Sequence, residues 1–206
     1  MSRSFPQFIL HKLWSIQDSL DLVGFKSVLL NDFTTILYGV PRLINELRIL
    51  VKPTNKGFIE LISDTIAREL GLLAFKNDIK RFLESQGMVR VNPVTIPITY
   101  IVLANSEFYK SILEDSRLVE LNGYRIRIPE LEPYIGYLFS LGLSYPHIVD
   151  VITLLTIHCD RIDIKRLSKY NVTRSAICGL IRDLYTEVSM FYEIEDIVSK
   201  AIEKYC

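Results

Sequence analysis

Two acids and two arginines in the first quarter of the chain have types and spacing that could do chemistry. Asp32 stands in an Asn31-Asp32 pair after the apolar run Phe25 to Leu30, and Arg42 closes the loop Gly39-Val40-Pro41-Arg42. Glu46 and Arg48 lie two apart in an apolar, β-branched stretch. Converging carboxylates hold Mg²⁺ through oxygen ligands, and a metal pair held so clamps the attacking and leaving oxygens of phosphoryl transfer. Guanidinium groups take the opposite ligand, a phosphate or a carboxylate. Residues two apart on a strand share a face. Glu46 and Arg48 therefore set opposite charges side by side, which also describes an ordinary ion pair worth little to stability. Arg42 has Glu46 near enough in sequence to be its partner, and Asn31-Asp32 also reads as a plain strand-to-helix cap.

The other reactive residue types form no such pattern. His11, His147 and His158 lack the mutual spacing of a metal site or a triad, and there is no Gly-x-Ser-x-Gly elbow. Cys159, Cys178 and Cys206 are odd in number, far apart and outside any CxxC. His158 precedes Cys159 directly, but helical neighbours point about 100° apart, and two ligands fall short of a structural zinc site. The basic cluster Arg161, Lys165, Arg166, Lys169 and Arg174 is diluted by Asp160 and Asp163 and reads as a solvated helix face. Tyr185, Phe191, Tyr192 and Tyr205 fit a partner surface or core.

The elements that must position these residues follow from periodicity. Ser4 and Gln7 stand at capping-box spacing, and Phe8, Leu13, Ile16 and Leu20 keep helical period up to Gly24. A strand over 25–30, a short helix over 33–38 and a strand over 47–51 follow, the last ended by Pro53. Helices are expected from Phe58 to Leu70 and over 77–86, strands over 88–91 and 94–103, and a helix over 106–113. Asn122-Gly123, between Leu118–Leu121 and Tyr124–Ile128, is the dipeptide suited to a type I′ hairpin. After Pro129 only helices are expected: 130–143, 146–158, 163–169 and a long run from the N-cap Thr173 towards Cys206. These expectations place an α/β domain over 1–129 and a helical subdomain over 130–206.

The stretch Val28 to Val51 resembles the signature of the nucleotidyltransferase superfamily, in the branch that includes abortive-infection toxins. In that family a strand ends in a Gly-Gly or Gly-Ser turn, a short helix and a Gly-x-x-Arg loop follow, and the next strand carries Asp-x-Asp. Strand, helix, Tyr38-Gly39, Val40-Pro41-Arg42 and the final apolar strand are all present at the family spacing. The likeness continues through the hairpin, Pro129-Glu130 and the helix holding Asp150, and covers residues 26 to 167. It implies a small mixed sheet with packed helices, of nucleotidyltransferase type.

The departures fall on the chemistry. Asn31 and Asp32 replace the two turn residues, so side chains stand where glycine lets the backbone approach a triphosphate. Glu46-Leu47-Arg48 replaces Asp-x-Asp. A guanidinium about 8 Å from a divalent ion repels it by about 2 kcal/mol at an effective dielectric of ~40. The third acid of the family would fall within Ile98-Thr99-Tyr100-Ile101, where there is none.

Composition sets the remaining bounds. The 206 residues carry 24 Lys+Arg and 24 Asp+Glu, so no global field attracts nucleic acid or anionic lipid. The uncharged stretch between Glu132 and Asp150 is interrupted by Pro133, Gly136, Gly142 and Pro146 and falls short of the ~20 apolar residues of a membrane span. The N-terminus lacks the pattern of a secretory signal, which leads us to expect a cytoplasmic protein. Few glutamines, many isoleucines and many Lys/Glu point to a thermophilic source.

The favoured reading is a non-catalytic descendant of the nucleotidyltransferase fold acting as a binding or regulatory module. It has no catalytic residue, no metal and no cofactor, and its depression lined by Asn31, Asp32, Arg42, Glu46 and Arg48 takes an anionic ligand, a nucleotide among them, or a protein partner. Two alternatives stay open: an active nucleotidyltransferase modifying RNA or protein through Mg²⁺ on a site rebuilt from Asp32 and Glu46, and a structural or oligomerisation protein without ligand. No membrane partner is expected.

Overall fold

The structure, a computed structural model, describes residues 6–53, 56–142, 147–188, 199 and 202–206. It divides into two units, one of Met1–Thr34 with Arg42–Glu130 and one of Thr35–Pro41 with Leu131–Cys206.

In the first unit, helix α1, Gln7–Leu22, buries Leu10, Leu13, Ile16 and Leu20 along one face. Pro6 precedes it without a side-chain cap; Ser4, half of the expected capping box, lies outside the described residues. The helix ends because Gly24 adopts φ 87, which lets its N–H bond Asp21 O at 3.0 Å and the Phe25 N–H bond Leu20 O at 2.8 Å. Those crossed bonds satisfy carbonyls the last turn would otherwise leave bare. They also tie Phe25 to the helix, so strand β1 is Ser27–Leu30 rather than starting at Phe25.

Helix α2, Asp32–Leu37, follows at once, and then β2, Glu46–Val51. Helices α3, Ile59–Glu69, and α4, Lys76–Gln86, lead to β3, Met88–Val91, and β4, Ile98–Leu103. The expected strand over 94–103 is shortened at its start. Pro93 and Pro97 lack the N–H that a ladder needs, and the segment they bracket leaves Val94 fully exposed. The four strands run in the order β1-β2-β4-β3, with β2 and β4 parallel and both outer pairs antiparallel. Leu29, Ile49, Ile101 and Val89 form one row across the sheet and are all buried. This is a mixed α/β architecture around a small mixed sheet.

Helix α5, Glu107–Glu114, is capped by the Ser106 hydroxyl and leads into the hairpin β5, Ser116–Leu121, and β6, Tyr124–Pro129. At its turn Asn122 and Gly123 both take positive φ, 50 and 84, as type I′ geometry demands. The hairpin is the one expected from the sequence. Buried Gln17 clamps it to α1 and β1: its Oε1 accepts the Arg127 N–H at 2.8 Å, and its Nε2 donates to Arg127 O at 3.0 Å and to Ser27 O at 3.3 Å.

The second unit holds helices α6, Leu131–Ser140, α7, His147–Ile157, α8, Ile164–Ser168, and α9, Arg174–Val188. Asp163 caps α8, and the Thr173 hydroxyl accepts the Ala176 N–H at 3.1 Å, the cap expected there. The reading of Phe191 and Tyr192 as core or partner surface lies outside the described residues, as does most of the helical run past Val188. Tyr205 is fully buried, and its hydroxyl donates to Leu155 O at 3.2 Å. Burial, then the nearby Cys159, Asp160 and Glu132, pushes its ionisation well above the usual tyrosine range. Cys178 and Cys206, far apart in the sequence, are joined by a disulfide across 28 positions, leaving Cys159 free. Among the described residues no helix is long and apolar enough to cross a membrane.

Among the described glycines, the closest approach is at Gly136 of α6. A Cβ there would sit 2.3 Å from the Tyr170 Cβ, with no flexible side-chain end to move aside. Gly136→Ala should therefore destabilise the chain despite its better helix propensity, by about 1–3 kcal/mol. Urea titration followed by circular dichroism checks this; a midpoint equal to or above wild type would show that α6 and the turn carrying Tyr170 separate freely.

Candidate functional site

Leu30 ends β1, and Asn31 must turn the chain into α2. It does so at φ 60, the left-handed region that asparagine enters more readily than most residues. The turn thus keeps a backbone conformation that glycine ordinarily supplies, but with a side chain attached. That side chain is buried, and its Nδ2 donates to Glu46 Oε1. Thr34 steadies the turn by donating from Oγ1 to Leu29 O at 2.7 Å.

Asp32 is also buried, and both its oxygens are engaged. Oδ2 accepts the backbone N–H groups of Asn45 at 2.8 Å and Glu46 at 3.1 Å, while Oδ1 faces Arg42 Nη2 at 2.9 Å. The partner of Arg42 is thus Asp32 rather than the Glu46 suggested by sequence proximity. Asp32 begins a helix, so its side chain reaches back across the turn to the chain entering β2. Glu46 is left to Arg48, whose Nη2 lies 3.4 Å from Glu46 Oε1. Strand period two put Glu46 and Arg48 on one face, and the ion pair expected there is present.

The register extends that face. Arg48 of β2 stands beside Tyr100 of β4, with its guanidinium carbon 5.0 Å from the ring centroid, and Tyr100 stands opposite Arg90 of β3. In the sequence Tyr100 stands out only as a non-acid, and Arg90 does not stand out at all. The β-period of both segments carried a signal, but the register that aligns them did not show in either.

The five expected residues therefore do come together, and each acid is paired with an arginine. Two carboxylates face two guanidiniums, and an amide joins one carboxylate to the turn. Among the described residues no three His, Cys, Asp or Glu side chains cluster as a metal would need. Elsewhere, His158 Nε2 hydrogen-bonds Tyr38 O at 2.7 Å. In the basic cluster, Arg166 pairs with the buried Glu132 at 3.5 Å, and Arg174 donates to Tyr205 O at 3.0 Å. The Tyr38 ring of the Tyr-Gly-Val-Pro-Arg loop stacks on Tyr134 with centroids 5.8 Å apart, and the Thr35 and Tyr134 hydroxyls share a hydrogen bond.

A scan against protein-family models finds no match, and neither does a search of curated proteins. Among solved structures the chain is similar to an antigenic nucleotidyltransferase-like protein from Paracoccidioides brasiliensis. The identity is 10%, the match covers 93% of this chain and 97% of that one, and the TM-score is 0.49.

The unequal holding of the two acids has a measurable result. Removing a buried carboxylate strands its partners, whereas a surface pair contributes little. Asp32→Ala should cost about 3 kcal/mol, through an unpaired Arg42 and two bare N–H groups. Glu46→Gln should cost less than about 1 kcal/mol, because its side chain is 30% exposed. Denaturant titration of both variants gives the comparison, and equal losses would show that Asp32 is not the holding group.

Proposed function

We propose that this chain is a non-catalytic protein of nucleotidyltransferase-type fold, acting as a binding or regulatory module without a resident metal. The observation that carries the reading is the internal neutralisation of the five residues. A metal at Asp32 would have to displace Arg42 and two backbone N–H groups at once. A metal at Glu46 would meet Arg48 on the same strand face. Carboxylates serve Mg²⁺ when their lone pairs are free and convergent, and here they are engaged and divergent in partner.

An anion has an easier route than a cation. Arg42 is held by a buried acid, but Arg48 is held by the half-exposed Glu46 and rests on Tyr100, so a phosphate or carboxylate exchanging with Glu46 meets a preset guanidinium. The disulfide fits a cytoplasmic protein of a thermophile, since hyperthermophile interiors retain such bridges where mesophile cytosol reduces them.

Titration calorimetry with Mn²⁺ and with a nucleoside triphosphate, alongside a transfer assay with labelled triphosphate, tests the reading. The expected result is no saturable sub-millimolar metal binding and no labelled product. Metal binding that Glu46→Gln abolishes, together with transfer of label, would instead establish an active nucleotidyltransferase with a rebuilt site.

A further inference from the structure

Strand β3 ends the sheet, and the backbone groups on its outer side are open. The Leu103 N–H donates to Gly87 O at 2.8 Å, which makes Gly87 and Leu103 a hydrogen-bonded antiparallel pair. Such pairs recur every second residue. Val89 and Val91 therefore face β4 with their N–H and C=O groups, while those of Met88 and Arg90 point away from the sheet. An outward row of this kind is a template for another strand.

The edge adjoins a groove of about 500 Å³. Consecutive residues, Val89 through Asn92, line it, as a groove running beside the strand's edge and its end would have them do. Its far wall is Phe75 and Phe82, which are 57% and 39% exposed. The two faces of the edge differ in chemistry. Val89 and Val91 point their buried side chains to the α4 side, beside these aromatics, while Met88 and Arg90 project exposed from the other. Arg81 in the groove is occupied by Asp78 at 2.9 Å, but the Arg90 side chain has no hydrogen-bond or ion-pair partner among the described residues.

The geometry points to an interaction surface for an extended segment of a partner protein, added to β3 as a fifth strand, whose side chains alternate apolar and acidic. The apolar positions enter the groove against Phe75 and Phe82; the acidic ones come out on the opposite face beside Arg90, where cross-strand neighbours lie about 5 Å apart. Charge selects this occupant over a second copy of the chain, since self-pairing centred on Arg90 opposes two guanidiniums. The surface serves whether or not the chain is catalytic, so its test is separate from that of the function proposed above.

The probe is a labelled peptide of alternating valine and glutamate, about eight residues long to match a strand, with a valine–lysine peptide as control. Fluorescence anisotropy with the full chain should show saturable binding of the acidic peptide alone. Arg90→Glu should reverse the preference, weakening the acidic peptide by about tenfold or more. Arg90→Pro should abolish binding by removing an outward N–H without breaking a bond to β4, and a thermal melt close to wild type confirms that the sheet survives. Hydrogen exchange should slow at the Met88 and Arg90 amides when the peptide is added. Binding that ignores peptide charge, indifference to both Arg90 substitutions, or unchanged exchange at those amides would overturn the proposal. So would sedimentation showing a dimer that Arg90→Pro dissociates, which would make a second copy the occupant.

Discussion

The Asp32 carboxylate is the interaction on which the first unit turns. A buried acid is costly unless its lone pairs are met, and Asp32 meets that condition by gathering a guanidinium and two N–H groups from the chain entering β2. Those N–H groups belong to Asn45 and Glu46, where β2 begins. Fixing them fixes the start of a strand that pairs on one side with β1 and on the other with β4. An acid at the position where the resemblance implies a phosphate-binding turn thus acts as a structural anchor. It also leaves Glu46 to pair with Arg48.

Much of the architecture was legible from the chain because local and global signals agree. Periodic apolar faces gave α1, α3 and α4, and Asn122-Gly123 fixed a hairpin by backbone conformation alone. The misses share a cause. Phe25 looked like strand because it is apolar, but crossed bonds from Gly24 bind it to the helix. Val94 to Pro97 looked like strand by composition, but two prolines remove the donors. The cysteines gave no sign of pairing because a bridge depends on how distant segments meet, which spacing does not encode.

The candidate site was legible in membership and not in pairing. Asn31, Asp32, Arg42, Glu46 and Arg48 were named together and lie together, since strand, turn, helix and loop occur in the expected order. Which acid holds which arginine depends on a side chain reaching back across a turn, and sequence distance pointed to the wrong one. Tyr100 and Arg90 entered only with the register of β2, β4 and β3, a non-local property. Arg90 matters for a further reason: it is a charge on an open edge, which natural sheets use to discourage indiscriminate pairing.

Gly136 carries a consequence of a different kind. The Tyr170 side chain begins where a methyl group on Gly136 would stand, so glycine is held there by shape, whereas Asp32 at the β1–α2 turn is held by charge and hydrogen bonding. Selection should therefore read this chain unevenly. A larger residue at Gly136 is refused by sterics alone, whatever its polarity, while at Asp32 a residue of the right size is refused unless it also accepts the same three donors.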